Sequence, residues 1–134
     1  MTINFKGKPF IFLLITFIII LDQISKYFVQ KLGLMVGCNE GIAFGIGQAR
    51  PIFSALVIAI VLFLLVRETN FVFKIGLSLI LAGGFSNFLD RIFAGCVRDF
   101  ISVFNFPSFN LADCAINLGA AVFLYFLIKS KKWI

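Results

Sequence analysis

The sequence predicts an all-α polytopic membrane protein: four transmembrane helices, with short strands in the outward-facing first and third loops. Three observations lead there. Hydrophobic residues make up 61% of the 134 residues, and mean hydropathy is +1.08. A soluble chain this small could not cover its core with the polar surface that remains. The apolar residues also fall into four long runs, each able to cross a bilayer of about 30 Å with a helix of about 20 residues. Between the runs lie Gly-rich and β-forming segments that suit short strands.

The first run starts after Lys6 and Lys8 and occupies residues 10–29. It resembles a secretory signal, and LMVGC at 34–38 loosely resembles a lipid-attachment box. Asp22, Lys26 and Lys31 interrupt the stretch before Cys38, so the segment reads as an uncleaved helix. The second helix is predicted over 51–66, with Pro51 in the first turn, where its missing N–H costs nothing. The third covers 71–89 and the fourth 111–128. Outer loops then span about 30–50 and 91–109, the first suited to a hairpin and the third to a strand at FISVF. No repeat or hinge divides the chain, so residues 1–134 read as one membrane domain.

Four crossings place both termini on one side with Lys6, Lys8, Arg67, Lys74, Lys129, Lys131 and Lys132, leaving Lys31, Arg50, Arg91 and Arg98 opposite. The excess of positive charge assigns the first side to the cytoplasm. The net charge of +6 therefore reads as topology and attraction to lipid headgroups, and nucleic acid is not an expected partner.

The chemistry is bounded by what is missing. With no histidine in the chain, His-based zinc sites and Ser-His-Asp triads are excluded. Cys38, Cys96 and Cys114 lack CxxC spacing, so no metal is expected. They read as free thiols behaving as small apolar residues, although Cys38 and Cys96 could pair if both face an oxidising compartment. No cofactor is expected.

Asp22 and Lys26 are four apart on one helical face and can pair. They read as a snorkelling pair that ends the first helix at the interface. In the third helix, Ser78, Ala82 and Ser86 form a small-residue face for close packing, and the helix delivers Asn87 and Asp90 to its outer end. In the fourth, Asn110, Asp113 and Asn117 make a polar stripe that must face protein or water. Three of the six acidic residues, Asp90, Asp99 and Asp113, thus converge on the outer membrane surface. Two neighbouring carboxylates that cannot both ionise form an acid and base pair. The same residues could instead make a structural salt-bridge network, Asp90 with Arg91 or Arg98, with Asp113 capping the first turn of the fourth helix. Physics alone leaves proteolysis and proton-coupled transport both open.

Five segments in order, DQISK (22–26), NEGIAF (39–44), NFLDR (87–91), GCVRDF (95–100) and FNLAD (109–113), make the chain resemble the lipoprotein signal peptidases of bacteria (signal peptidase II), from about residue 10 to 128. The resemblance implies an aspartic endopeptidase that removes the signal peptide from diacylglyceryl-modified prolipoproteins just before the lipidated cysteine. It implies Asp99 and Asp113 as the catalytic pair. Asn39, Gly41, Asn87, Asp90, Arg91, Asn110, Asp22 and Lys26 become substrate-binding or supporting residues. It also implies a place in the bacterial cytoplasmic (inner) membrane, a small β-cradle formed by the outer loops, and inhibition by the cyclic peptide globomycin. Membrane lipids are expected partners, the topology puts the active site at the outer face, and nothing in the sequence demands more than a monomer. The sequence departs from the family pattern at Ser86, where glycine is usual, and at Arg98, where an apolar residue is usual. The segment from Asp99 to Asn110 is also short. An arginine beside Asp99 is expected to lower that carboxyl's pKa.

Overall fold

The computed structural model describes residues 7–41 and 51–130. Its elements run α1 (Lys8–Lys31), β1 (Gly37–Asn39), α2 (Pro51–Arg67), α3 (Phe71–Phe93), β2 (Val97–Asp99) and α4 (Leu111–Ser130). The helix bounds lie within a few residues of those expected. Ala43 and Phe44 of the NEGIAF segment, and Lys6, Arg50, Lys131 and Lys132 of the charge pattern, lie outside the described residues. α1, α3 and α4 are long and apolar enough to cross a membrane, while the 17-residue α2 is apolar but shorter.

Burial is inverted relative to a soluble protein. Phe12 is 69% exposed and Phe63 60% exposed, whereas the largest fully buried side chains are Lys26, Asn110, Asp22, Asp90, Asp99, Ser78 and Ser86. Every one of those is polar. Such a surface is stable only against an apolar solvent, and such an interior only when its hydrogen bonds are complete.

α3 is the central helix, and α1, α2 and α4 all pack on it. Asn70 caps its start by accepting from the Val72 and Phe73 N–H groups. The tightest contact is with α4. A side chain at Gly83 would run into the Ala112 carbonyl, and one at Gly119 would come within 2.5 Å of the Gly76 carbonyl. These glycines let the backbones touch and fix the start of α4 beside the end of α3. Ser78, Ala82 and Ser86 are fully buried as expected, but Ser86 faces α1, not α4.

The loops form a two-stranded antiparallel sheet in which Gly37 pairs with Asp99, Cys38 with Arg98 and Asn39 with Val97. Two expectations are corrected. The described part of the first loop makes no local hairpin: its one strand pairs with the third loop. The third loop's strand is Val97–Asp99, with only a single bridge at Ile101 to Phe109 where FISVF was expected to extend. That bridge folds the segment after Asp99 back on itself and returns the chain at Asn110. The reading of Cys38 and Cys96 as free thiols is also corrected, since they form a disulfide. Strand pairing brings their Cα atoms to 5.4 Å, within the bonding range. Cys114 is free and exposed.

Candidate active site

The end of α1, the end of α3, β2 and the start of α4 meet in one polar cluster. Lys26 lies at its centre with no exposed surface. Its ammonium sits 2.6 Å from Asp22 Oδ2 and 3.1 Å from Asp90 Oδ2, and donates to Asn87 Oδ1 at 3.1 Å. All three donors are used. Asp22 also accepts from Ser86 Oγ at 2.6 Å and from the Ala112 backbone N–H at 2.9 Å. The expected snorkelling pair is therefore corrected. α1 continues past both residues to Lys31, and α3 supplies enough partners to hold the charges inside the protein.

Asp90 ties β2 to the helices. Its carboxylate accepts from the Arg98 backbone N–H at 2.9 Å, from Arg98 Nη2 at 2.8 Å and from Gln23 Nε2 at 3.0 Å. Arg98 also donates to Gln23 Oε1 and Gln30 Oε1. Neighbouring strand residues point to opposite faces, so Arg98 turns away from Asp99 towards α1 and α3. Arg91 donates to the Gly41 carbonyl at 3.0 Å, and Gly41 N–H bonds Asn39 Oδ1 at 2.8 Å, which anchors the first loop.

Two asparagines connect the remaining aspartates. Asn110 Nδ2 reaches Asp99 Oδ1 at 3.0 Å and Asn87 Oδ1 at 3.2 Å, and Asn87 Nδ2 donates to Asp113 Oδ1 at 2.9 Å. Asn110 and Asp113 also form a reciprocal cap at the start of α4. Asn110 Oδ1 accepts from the Asp113 N–H, and Asp113 Oδ2 accepts from the Asn110 N–H. The capping role weighed for Asp113 thus holds together with its place in the cluster. All ten singled-out residues meet in this connected region.

Asp99 is 2% exposed. Burial first, and then the charge of Asp113, push its carboxyl up to about 6. Hydrogen bonds from Asn110 and Asn39 and the charge of Lys26 pull the other way. The expected lowering by Arg98 is not found, because the guanidinium is committed to Asp90, Gln23 and Gln30. The raised value has a measurable consequence. Between pH 3.8 and about 6 the folded protein retains a proton that the unfolded chain has released, so stability falls as pH rises through that window. Thermal unfolding in detergent micelles is expected to give a midpoint that declines over this range. The Asp99→Asn protein should lack that component, and an identical slope in both proteins would refute it.

A cavity of about 260 Å³ opens beside the cluster, lined by Asn39, Asn87, Arg91 and Asp113 and by further residues of α2, α3 and α4. Sequence reading missed Gln23, Gln30 and Ser86 as members of the network, while the Asp90–Arg98 ion pair it weighed is present at 2.8 Å. Gln23 and Gln30 are seven apart on α1 and so share a face. That spacing was the available signal, but polar residues near a helix end are too common to decide anything alone.

The fold is that of solved membrane enzymes. One structure described as a bacterial membrane enzyme superposes with a TM-score of 0.79 at 27% identity, covering 92% of this chain and 90% of its own. Another with the same description gives 0.74 at 28% identity, covering 90% and 94%. Apolar helices around a polar cluster, in this architecture, define an integral membrane enzyme. Residues 14–129 match the family described as Signal peptidase (SPase) II. The lipoprotein signal peptidase of Shouchella clausii (strain KSM-K16) is 36% identical, over 80% of this chain and 85% of its own. That of Staphylococcus aureus (strain JH9) is 30% identical, over 87% and 86%. The chain belongs to the signal peptidase II family, peptidases that remove signal peptides from prolipoproteins.

Proposed function

We propose that this chain is an aspartic endopeptidase that cuts diacylglyceryl-modified prolipoproteins just before the lipidated cysteine, with Asp99 and Asp113 as its catalytic pair. The observation that carries the reading is the asparagine-linked coupling of these two carboxylates beside a cavity onto which Asp113 opens. Asp113, which lines the cavity, serves as the base toward water, and Asp99 serves as the acid. The shared proton belongs to the pair.

The reaction needs no other group. Asp113 takes a proton from water as the water oxygen bonds to the scissile carbonyl carbon, while Asp99 gives its proton to the carbonyl oxygen. The resulting gem-diol returns a proton to Asp99 as its C–O double bond re-forms. The C–N bond breaks, and Asp113 passes its proton to the departing nitrogen. Products are the signal peptide, with a new carboxyl end, and the lipoprotein, with a new amine. Lys26, Asp22, Asp90, Asn87, Asn110, Arg91, Asn39 and Gly41 hold the pair and the adjoining loop in place.

In this reading all four helices span the membrane as one domain, α2 with modest help from its flanks. The termini are cytoplasmic, and the site lies at the outer face of the bacterial cytoplasmic membrane. The sheet is the cradle beneath the substrate, and the enzyme works as a monomer. The purified enzyme in micelles is expected to convert a diacylglyceryl-modified prolipoprotein to its shorter form on a gel, to leave the unmodified precursor uncut, and to be blocked by globomycin. Equal cleavage of both precursors would remove the lipid requirement, and no cleavage of either would remove the activity.

A further inference from the structure

The polar cluster is closely satisfied, yet two further polar side chains that line the cavity are not. Asn117 on α4 and Ser54 on α2 line the cavity together with Asp113. Among the described residues neither has a side-chain hydrogen-bond partner. They share the cavity with Val57, Ile58 and Ile116, and Asn117 is exposed on the apolar α4, where an idle amide facing lipid is costly. α2 and α4 each pack on α3 and scarcely on each other. The cavity is therefore a trough whose floor includes Gly84 of α3 and whose opposite walls carry Ser54 and Asn117. A side-chain carbon at Gly84 would meet nothing closer than Ile58 at 3.9 Å, so helix packing does not require this glycine. Its absent side chain leaves the floor open.

We propose that Asn117, with Ser54 opposite, hydrogen-bonds the backbone of the substrate residues that precede the cut and holds them extended. The proposal rests on the reading that Asp99 and Asp113 perform the cleavage. A signal helix satisfies its own N–H and C=O groups, but its last turn must unwind to present a peptide bond to the aspartates. The freed groups then lie between largely apolar walls, away from bulk water. An asparagine amide offers both donors and an acceptor to such a backbone, and a serine hydroxyl can do either. Asn117 lies four residues beyond Asp113 on the same helical face, a rise of about 6 Å. An extended chain covers that span in about two residues. Asn117 thus meets the substrate backbone near the second residue before the scissile bond.

The test uses synthetic diacylglyceryl-modified signal peptides, one all-amide and three with an ester replacing a single backbone amide at the first, second or third residue before the cut. Wild type is expected to lose about tenfold in kcat/KM on one ester, near the second position, as for one lost hydrogen bond in apolar surroundings. Asn117→Leu is expected to cleave the all-amide peptide about tenfold less well and to show no further loss on that ester. Asn117→Ala should behave likewise, which separates a lost hydrogen bond from a badly fitting leucine. Unchanged cleavage by both variants, or an ester penalty as large in them as in wild type at every position, overturns the proposal. Asp99→Asn is run on the same peptides. Cleavage by that protein would sink the paired-aspartate reading, while the ester comparison would still report on Asn117.

Discussion

Asp99→Asn and Asp113→Asn are each expected to lower cleavage of a lipidated prolipoprotein by about 10³-fold or more, since each removes one partner of a concerted proton exchange. Asparagine keeps the shape and most contacts of the carboxylate. At position 99 it can still accept from Asn110 Nδ2, as Asp99 Oδ1 does at 3.0 Å. At position 113 its side-chain oxygen can still take one of the two N–H donors that hold Asp113. It cannot carry the exchanged proton. The double variant is expected to be no worse than either single one, because the pair acts as a unit. A gel-shift assay on folded, micelle-solubilised protein decides this. Either single variant retaining a tenth of wild-type activity would reassign the chemistry to other groups.

Lys26→Met is expected to be the most destabilising single change in the cluster. It leaves Asp22 and Asp90 as buried carboxylates without their shared cation, and Asn87 without the donor that orients it. Breaking a buried ion pair from one side costs about 3–5 kcal/mol, mainly through the charge left behind. Thermal or denaturant unfolding in detergent should register the loss. Activity should fall too, because Asn87 positions Asp113. Adding Asp22→Asn should recover part of the stability by removing one orphaned charge. A Lys26→Met protein as stable as wild type would mean that the carboxylates take up protons at little cost and that Lys26 is not their keystone.

The polar cluster was largely legible in the chain because a membrane helix carries so few polar residues. Each of Asp22, Lys26, Asn87, Asp90, Asp99, Asn110 and Asp113 stood out against apolar neighbours, and the ordered segments around them matched a family. Their partnerships were less legible. Lys26 reads as a snorkelling end group when only α1 is considered, because its partners Asp90 and Asn87 lie more than 60 residues away. Arg98 reads either as a cation beside Asp99 or as a partner of Asp90, and strand alternation selects Asp90. Cys38 and Cys96 lack a spacing that announces a bond, since pairing of β1 with β2 is what aligns them.

The chain's own pattern determined its solvent, the positions of its four helices and the residues with chemistry to offer, because hydropathy and helical period act locally and along the sequence. Tertiary structure alone decided which charge compensates which, that the first loop pairs with the third, and that Asp113 opens onto the cavity while Asp99 is almost fully buried. The physical reason is range. An apolar run identifies its surroundings within one turn of helix, but a buried charge takes its state from whatever the fold brings within about 3–4 Å. Here those partners come from three helices and a strand that meet only when α3 and α4 close at their glycines.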